Sequence, residues 1–131
     1  MEIVNQFKEI FWDGFHKPSL KSQKFQTVWE SLEHLNSLLA GPFYSILNQG
    51  NCDYVFDDKI RFPAISHPDD FFTRCIELTE KYKEEILKVP AESDEERQDK
   101  KVLLYQTDIK MELSDLSYQI LKESAKFKIS K

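Results

Sequence analysis

The chain has 131 residues, with 18 Lys and Arg against 23 Asp and Glu, a formal net charge of −5. That length predicts one domain spanning 1–131, with a core that takes ~65% of the unfolded chain's surface out of water. With 3 Gly and 5 Pro, the composition disfavours a turn-rich β-sandwich or barrel and any glycine loop that cradles phosphate, and ten Phe argue against disorder.

The first apolar stripe is Ile3, Val4, Phe7, Ile10, Phe11 and Phe15, whose spacing predicts a helix over 2–16 ended by Lys17-Pro18. A second helix is expected from Ser19 or Ser22 to Ala40, with Phe25, Val28, Trp29, Leu32, Leu35 and Leu39 inward. Gly41 would close it and Pro42 would open a short third helix over 43–47. Residues 54–62 read as a small β-hairpin with Asp57-Asp58 at its tip. Ser66-His67-Pro68-Asp69-Asp70 is a helix start, followed by the stripe Phe72, Cys75, Ile76, Thr79, Tyr82 and Ile86 and stopped by Pro90. Ser93-Asp94-Glu95-Glu96 is a capping box, and no Gly or Pro interrupts the remaining chain. The fold class that follows is all-α, a bundle of about five helices with the possible hairpin as its only β element.

The last helix is unusually rich in apolar positions. Val102, Tyr105, Ile109, Leu113, Leu116 and Ile120 form one core stripe, widened by Leu103 and Leu121. A second series, Leu104, Met111 and Tyr118, recurs every seven residues on a neighbouring face. It predicts either a helix covered on two sides within its own domain or an interface with a second copy or another protein.

Chemistry-bearing motifs are sparse. Cys75 falls on an inward face and reads as an inert core thiol, and two cysteines with three scattered histidines give no zinc pattern. Asp53, Asp57 and Asp58 lack the glycine and distal Glu of a calcium loop. No cofactor is expected. Two carboxylate pairs at helical spacing, Glu77/Glu80 and Glu112/Asp115, can each share a cation. The run Glu112-Leu113-Ser114-Asp115 resembles the E-L-x-D segment of the MazG-type all-α nucleoside triphosphate pyrophosphohydrolases. That resemblance implies Mg²⁺ held by Glu77, Glu80, Glu112 and Asp115 around a triphosphate, although Ile76 stands where that family's first motif has a second Glu. The plainer reading is a solvated helix face supported by Glu77–Lys81 and Glu84–Lys88 pairs.

The acidic balance and the presence of three arginines, Arg61, Arg74 and Arg97, disfavour direct nucleic-acid binding. No apolar run approaches the ~18 residues of a membrane span, and Met1–Glu9 lacks a signal peptide's basic-then-apolar order, so a cytoplasmic protein is expected. The function that charge favours is a non-enzymatic one. An acidic helical protein would bind and neutralise a partner with a basic active-site groove, as immunity proteins, antitoxins and phage inhibitors of nucleic-acid enzymes do. The residues expected to carry it are Glu92, Asp94, Glu95, Glu96 and Asp99, with Asp57, Asp58, Asp69 and Asp70 as a second group. Leu104, Met111 and Tyr118 would carry a homodimer.

Overall fold

In a computed structural model that describes residues 2–47, 53–55, 61–63 and 68–129, these residues form five α-helices and a two-stranded ribbon. The order is α1 (Glu2–Phe15), α2 (Gln23–Ser31), α3 (Glu33–Leu47), β1 (Asp53–Val55), β2 (Arg61–Pro63), α4 (Pro68–Leu87) and α5 (Asp94–Ile129). The architecture is an all-α bundle built around α5. At 36 residues this helix is ~54 Å long, and it packs most extensively along α1 and α4.

Two apolar clusters sit one above the other along α5. The larger joins Phe7, Phe11, Leu39, Phe43, Phe71 and Cys75 to the Ile109–Leu121 half of α5. Its aromatic rings form a chain: Phe7 meets Phe43 edge-on at 5.8 Å, Phe43 meets Phe15 at 5.8 Å and Phe71 at 6.3 Å. Such pairs each add about 0.5–1.5 kcal/mol beyond their buried area, which accounts for where much of the phenylalanine goes. The smaller cluster gathers Phe25, Leu32, Tyr82, Ile86 and Leu103.

Several boundaries differ from the sequence reading. The expected long second helix is broken at Leu32, whose backbone (φ −100°, ψ 3°) leaves the helical region while its N–H bonds the Trp29 carbonyl at 3.1 Å. Its carbonyl already accepts from Asn36 N at 3.0 Å, so α3 begins at once. The side chain of Leu32 is buried in the smaller cluster, and that anchorage sets the bend without any Gly or Pro. Conversely, α3 runs straight through Gly41-Pro42, where a new helix was expected. The clash that keeps pre-proline residues out of a helix involves their Cβ, which Gly41 lacks. The ribbon pairs Tyr54 with Phe62 and Val55 with Arg61. A two-residue tip at Asp57-Asp58 would pair Tyr54 with Arg61, so the register is shifted by one; the tip lies outside the described residues. On α4 the buried positions are Phe71, Cys75, Thr79, Tyr82 and Ile86, with Phe71 taking the place expected of Phe72. On α5, Leu103 is fully buried, whereas Tyr105, expected in the core, is 59% exposed.

The inward face of α5 is not purely apolar. Asp99, Gln106, Thr107, Lys110, Ser114 and Ser117 are all buried on it. Four residues of α5 terminate other helices. Lys100 Nζ donates to the carbonyls of Leu87 (3.3 Å) and Val89 (2.7 Å) at the end of α4. Gln106 Nε2 donates to Asp13 (3.3 Å) and His16 (2.8 Å), and Lys110 Nζ to Gly14 (2.7 Å), at the end of α1. Asp99 accepts from Lys21 N (2.9 Å), Ser22 N (2.7 Å) and Ser22 Oγ (2.7 Å) ahead of α2. Ser22 Oγ in turn accepts from Phe25 N as the N-cap. Helix C-termini leave carbonyls unpaired and carry partial negative charge, N-termini the reverse. Donors therefore stand at the ends of α1 and α4, and a carboxylate stands at the start of α2. α5 caps its own start as well: Ser93 Oγ accepts from Glu96 N, and Glu96 reaches back to Glu92 N at 2.8 Å.

Gly14 is where α1 comes closest to α5. A Cβ there would lie 2.9 Å from Ile109 Cγ2 and 3.2 Å from Leu113 Cδ1. Gly→Ala inside a helix ordinarily gains up to about 1 kcal/mol. Gly14→Ala is expected instead to destabilise by about 1–2 kcal/mol in urea unfolding, because the stiff Ile109 side chain cannot move aside cheaply.

Candidate functional site

The carboxylates singled out from sequence differ in burial and in what holds them. Asp99 is 1% exposed, and its oxygens are occupied by the α2 cap. Burial pushes its carboxyl up, but the hydrogen bonds from Lys21 and Ser22, with the Lys21 charge, outweigh that and hold it below its ordinary value. Glu96 is lowered by the Glu92 N–H and by Lys24, with which it pairs at 3.3 Å. Glu92, Asp94 and Glu95 are exposed, Asp94 beside Arg97. Asp69 and Asp70 are exposed at the start of α4, and Asp69 accepts from the Tyr118 hydroxyl, raising that phenol. Asp57 and Asp58 lie outside the described residues.

The three residues expected to form a second apolar face are half-buried. Leu104 packs on the smaller cluster, and Tyr118 meets Phe72 edge-on at 4.9 Å under Lys122. Much of that face is thus met by α4 and by the smaller cluster. Cys75 is a free, fully buried thiol whose pKa burial raises, as an inert core position requires.

Glu77/Glu80 and Glu112/Asp115 do not meet. Cys75, Thr79 and Tyr82 turn inward on α4, and Leu113, Ser114, Leu116 and Ser117 on α5, so both carboxylate pairs point to solvent. Among the described residues no three His, Cys, Asp or Glu side chains converge as metal ligands. Glu77 pairs with Arg74 at 3.7 Å and Glu85 with Lys88 at 3.1 Å, three residues apart rather than the expected four.

Among its described side chains α5 exposes Glu95 and Arg97 in its first turn and a row along its length: Asp94, Gln98, Lys101, Tyr105, Asp108, Glu112, Asp115, Gln119 and Lys122. Asp108, Glu112 and Asp115 follow one another at helical spacing just beyond the exposed Tyr105. No ion pair among the described residues engages any of the three. Asp115 accepts from Gln119 at 2.9 Å. Asp108 was not among the expected residues; the signal for it was the complement of the core stripe.

A second constellation was not legible in the sequence. Lys110 is fully buried between the two apolar clusters, its ammonium 4.3 Å from the Tyr82 ring centroid and 5.0 Å from that of Phe15. Burial lowers its pKa to about 7, since no carboxylate pairs with it among the described residues. Tyr82 is fully buried; burial pushes its hydroxyl up to about 12, against the opposing effect of the neighbouring Asn36 side chain. Among the described residues, the Tyr82 hydroxyl, Asn36 Oδ1 and Trp29 Nε1 are buried without a hydrogen-bond partner. Asn36 and Trp29, with Phe15, Glu33, Ser37 and Ala40, line a cavity of about 360 Å³ where α1, α2 and α3 meet.

Among the described residues no helix is long and apolar enough to cross a membrane. No protein-family model, curated protein or solved structure matches the chain.

Proposed function

We propose that the protein is a non-enzymatic binding protein that neutralises a partner protein by laying the acidic row of α5 against a basic groove, in the manner of an immunity protein, antitoxin or phage inhibitor. The observation that carries this reading is the triplet Asp108, Glu112 and Asp115, which no ion pair among the described residues engages, beside a Tyr105 that is 59% exposed. Three carboxylates within ~10.5 Å along one helix concentrate negative potential, which speeds encounter with a basic surface and disfavours anionic competitors. Tyrosine supplies rigid, amphipathic contact area of the kind that anchors interfaces. The burial of α5 along α1 and α4 makes this edge a rigid one, so little order has to be acquired on binding.

The test couples the protein to a surface, identifies what it retains from host extract at low salt, and then measures that complex in purified form. Neutralising the row (Asp108→Asn, Glu112→Gln and Asp115→Asn together) is expected to slow association at least about tenfold and flatten its salt dependence. The helical circular dichroism should be unchanged. Association kinetics unaffected by the triple change would overturn this use of α5.

A further inference from the structure

The solvent row of α5 has an internal order. Its middle members, Gln98, Lys101, Tyr105, Asp108, Glu112 and Asp115, follow one another in alternating steps of three and four residues. That spacing keeps a line of side chains facing a second helix laid alongside. The first half of the line carries donors, Gln98, Lys101 and Tyr105, and the second half carries acceptors, Asp108, Glu112 and Asp115. Gln98 Oε1 already accepts from Lys21 Nζ at 3.0 Å, which leaves its amide N–H groups to offer. No ion pair among the described residues engages Lys101, Asp108, Glu112 or Asp115. A line with donors at one end and acceptors at the other is complementary to itself once turned end for end, as a two-fold interface requires.

We propose that α5 pairs antiparallel with α5 of a second copy of this chain, about a two-fold axis centred between positions 106 and 107. Gln98 then faces the copy's Asp115, Lys101 faces its Glu112 and Tyr105 faces its Asp108, each contact occurring twice by symmetry. Every carboxylate of the triplet gains a donor. Tyr105, 59% exposed, stands nearest the axis, so the two phenol rings form the centre of the contact and the charged pairs its rim. Charge also selects the register. Sliding one helix by a single step of the row sets Asp94 against Glu112 in one direction and Asp108 against Glu112 in the other. A parallel pair sets each carboxylate against its own copy. Exposed ion pairs are individually weak, so this dimer is a reversible one. The pairing needs no partner protein and stands apart from the partner-binding reading; a basic partner laid on the same row would compete with the second copy.

The test is sedimentation of the purified full chain over about 1–500 μM at low salt, where a monomer–dimer equilibrium with a dissociation constant below about 200 μM is expected. Lys101→Glu sets carboxylate against carboxylate, and Glu112→Lys sets ammonium against ammonium. Each is expected to weaken the dimer at least about tenfold, with the helical circular dichroism unchanged because both positions are exposed. The two substitutions move net charge in opposite directions, so a general change in repulsion between acidic molecules cannot produce both losses. An equimolar mixture of the two variants restores the facing pairs, as does a chain carrying both changes. Either is expected to recover the dissociation constant to within about threefold. A monomer at every concentration, a dimer indifferent to either single change, or no recovery in the doubly changed chain would each overturn the proposal. No other protein enters the measurement, so its failure leaves the partner-binding reading untouched.

Discussion

Asp99→Ala is expected to destabilise the protein by about 3 kcal/mol, with Tm falling by about 10 °C. The carboxylate accepts from two backbone N–H groups and from the hydroxyl that caps α2. Deleting it leaves buried donors without a partner and loosens Ser22 as the N-cap, two losses that both fall on the α1–α2 connection. Asp99→Asn should recover less than half, because one end of an amide presents N–H groups to donors. The sign of the pH effect follows from the folded carboxyl lying below its ordinary value. The unfolded chain binds the proton first on acidification. The stabilisation is therefore complete above the ordinary carboxylate range and is lost as pH falls through the folded value. Urea unfolding at neutral and acidic pH should show a steeper loss for the native chain than for Asp99→Asn. Equal slopes would mean that the carboxylate is not held by these bonds.

Lys110→Met is expected to change the pH dependence of stability strongly. The ammonium is buried, with a folded pKa of about 7, whereas an unfolded lysine titrates near 10.4. Above about pH 7 the unfolded state binds more protons than the folded state, so Lys110 makes the native chain more stable as pH rises, by roughly 1.4 kcal/mol per pH unit. Cys75 and Tyr82, both raised by burial, oppose this at higher pH, because the folded state keeps protons that the unfolded chain releases. The difference between the native chain and Lys110→Met cancels those two and isolates the lysine. That difference should move by about 2 kcal/mol in favour of the native chain between about pH 7 and pH 9. At neutral pH the variant should be the more stable by about 1–2 kcal/mol, since relief from a desolvated ammonium exceeds the loss of the bond to the Gly14 carbonyl. A pH-independent difference would mean that Lys110 reaches solvent in the folded state.

Apolar periodicity and helix signals made α1, α4 and α5 legible, and the Ser93–Glu96 box located the start of α5 correctly. The bend at Leu32 was not legible, because a buried leucine with a non-helical backbone looks like any other stripe residue. Gly41-Pro42 misled in the opposite direction, since the pair that signals a stop is also the pair in which proline's neighbour lacks the offending Cβ. The polar positions of α5 were hidden for a different reason. Asp99, Gln106 and Lys110 recur in register with Leu103 and Leu113, but a search for apolar spacing treats polar residues as the outer face. In a chain with 18 Lys and Arg, nothing marks Lys110 as buried. Of the candidate site residues, the solvent row of α5 could be read as the complement of its core face. The Trp29–Asn36 cavity could not, because it exists only after the Leu32 bend brings α2 and α3 to their angle.

The capping of α1 and α2 by α5 also constrains the order in which the molecule assembles. Six residues, 88–93, join α4 to α5, so that pair can close as a local helical hairpin. The bonds that fix the α1–α2 connection span 77 to 96 residues of sequence. Bringing such distant segments together costs about 2 kcal/mol more in loop-closure entropy than closing the hairpin. Docking of α1 and α2 is then expected to follow closure of the α4–α5 hairpin, and the folding and unfolding rates of Asp99 and Lys110 variants report on which side of the rate-limiting barrier it falls.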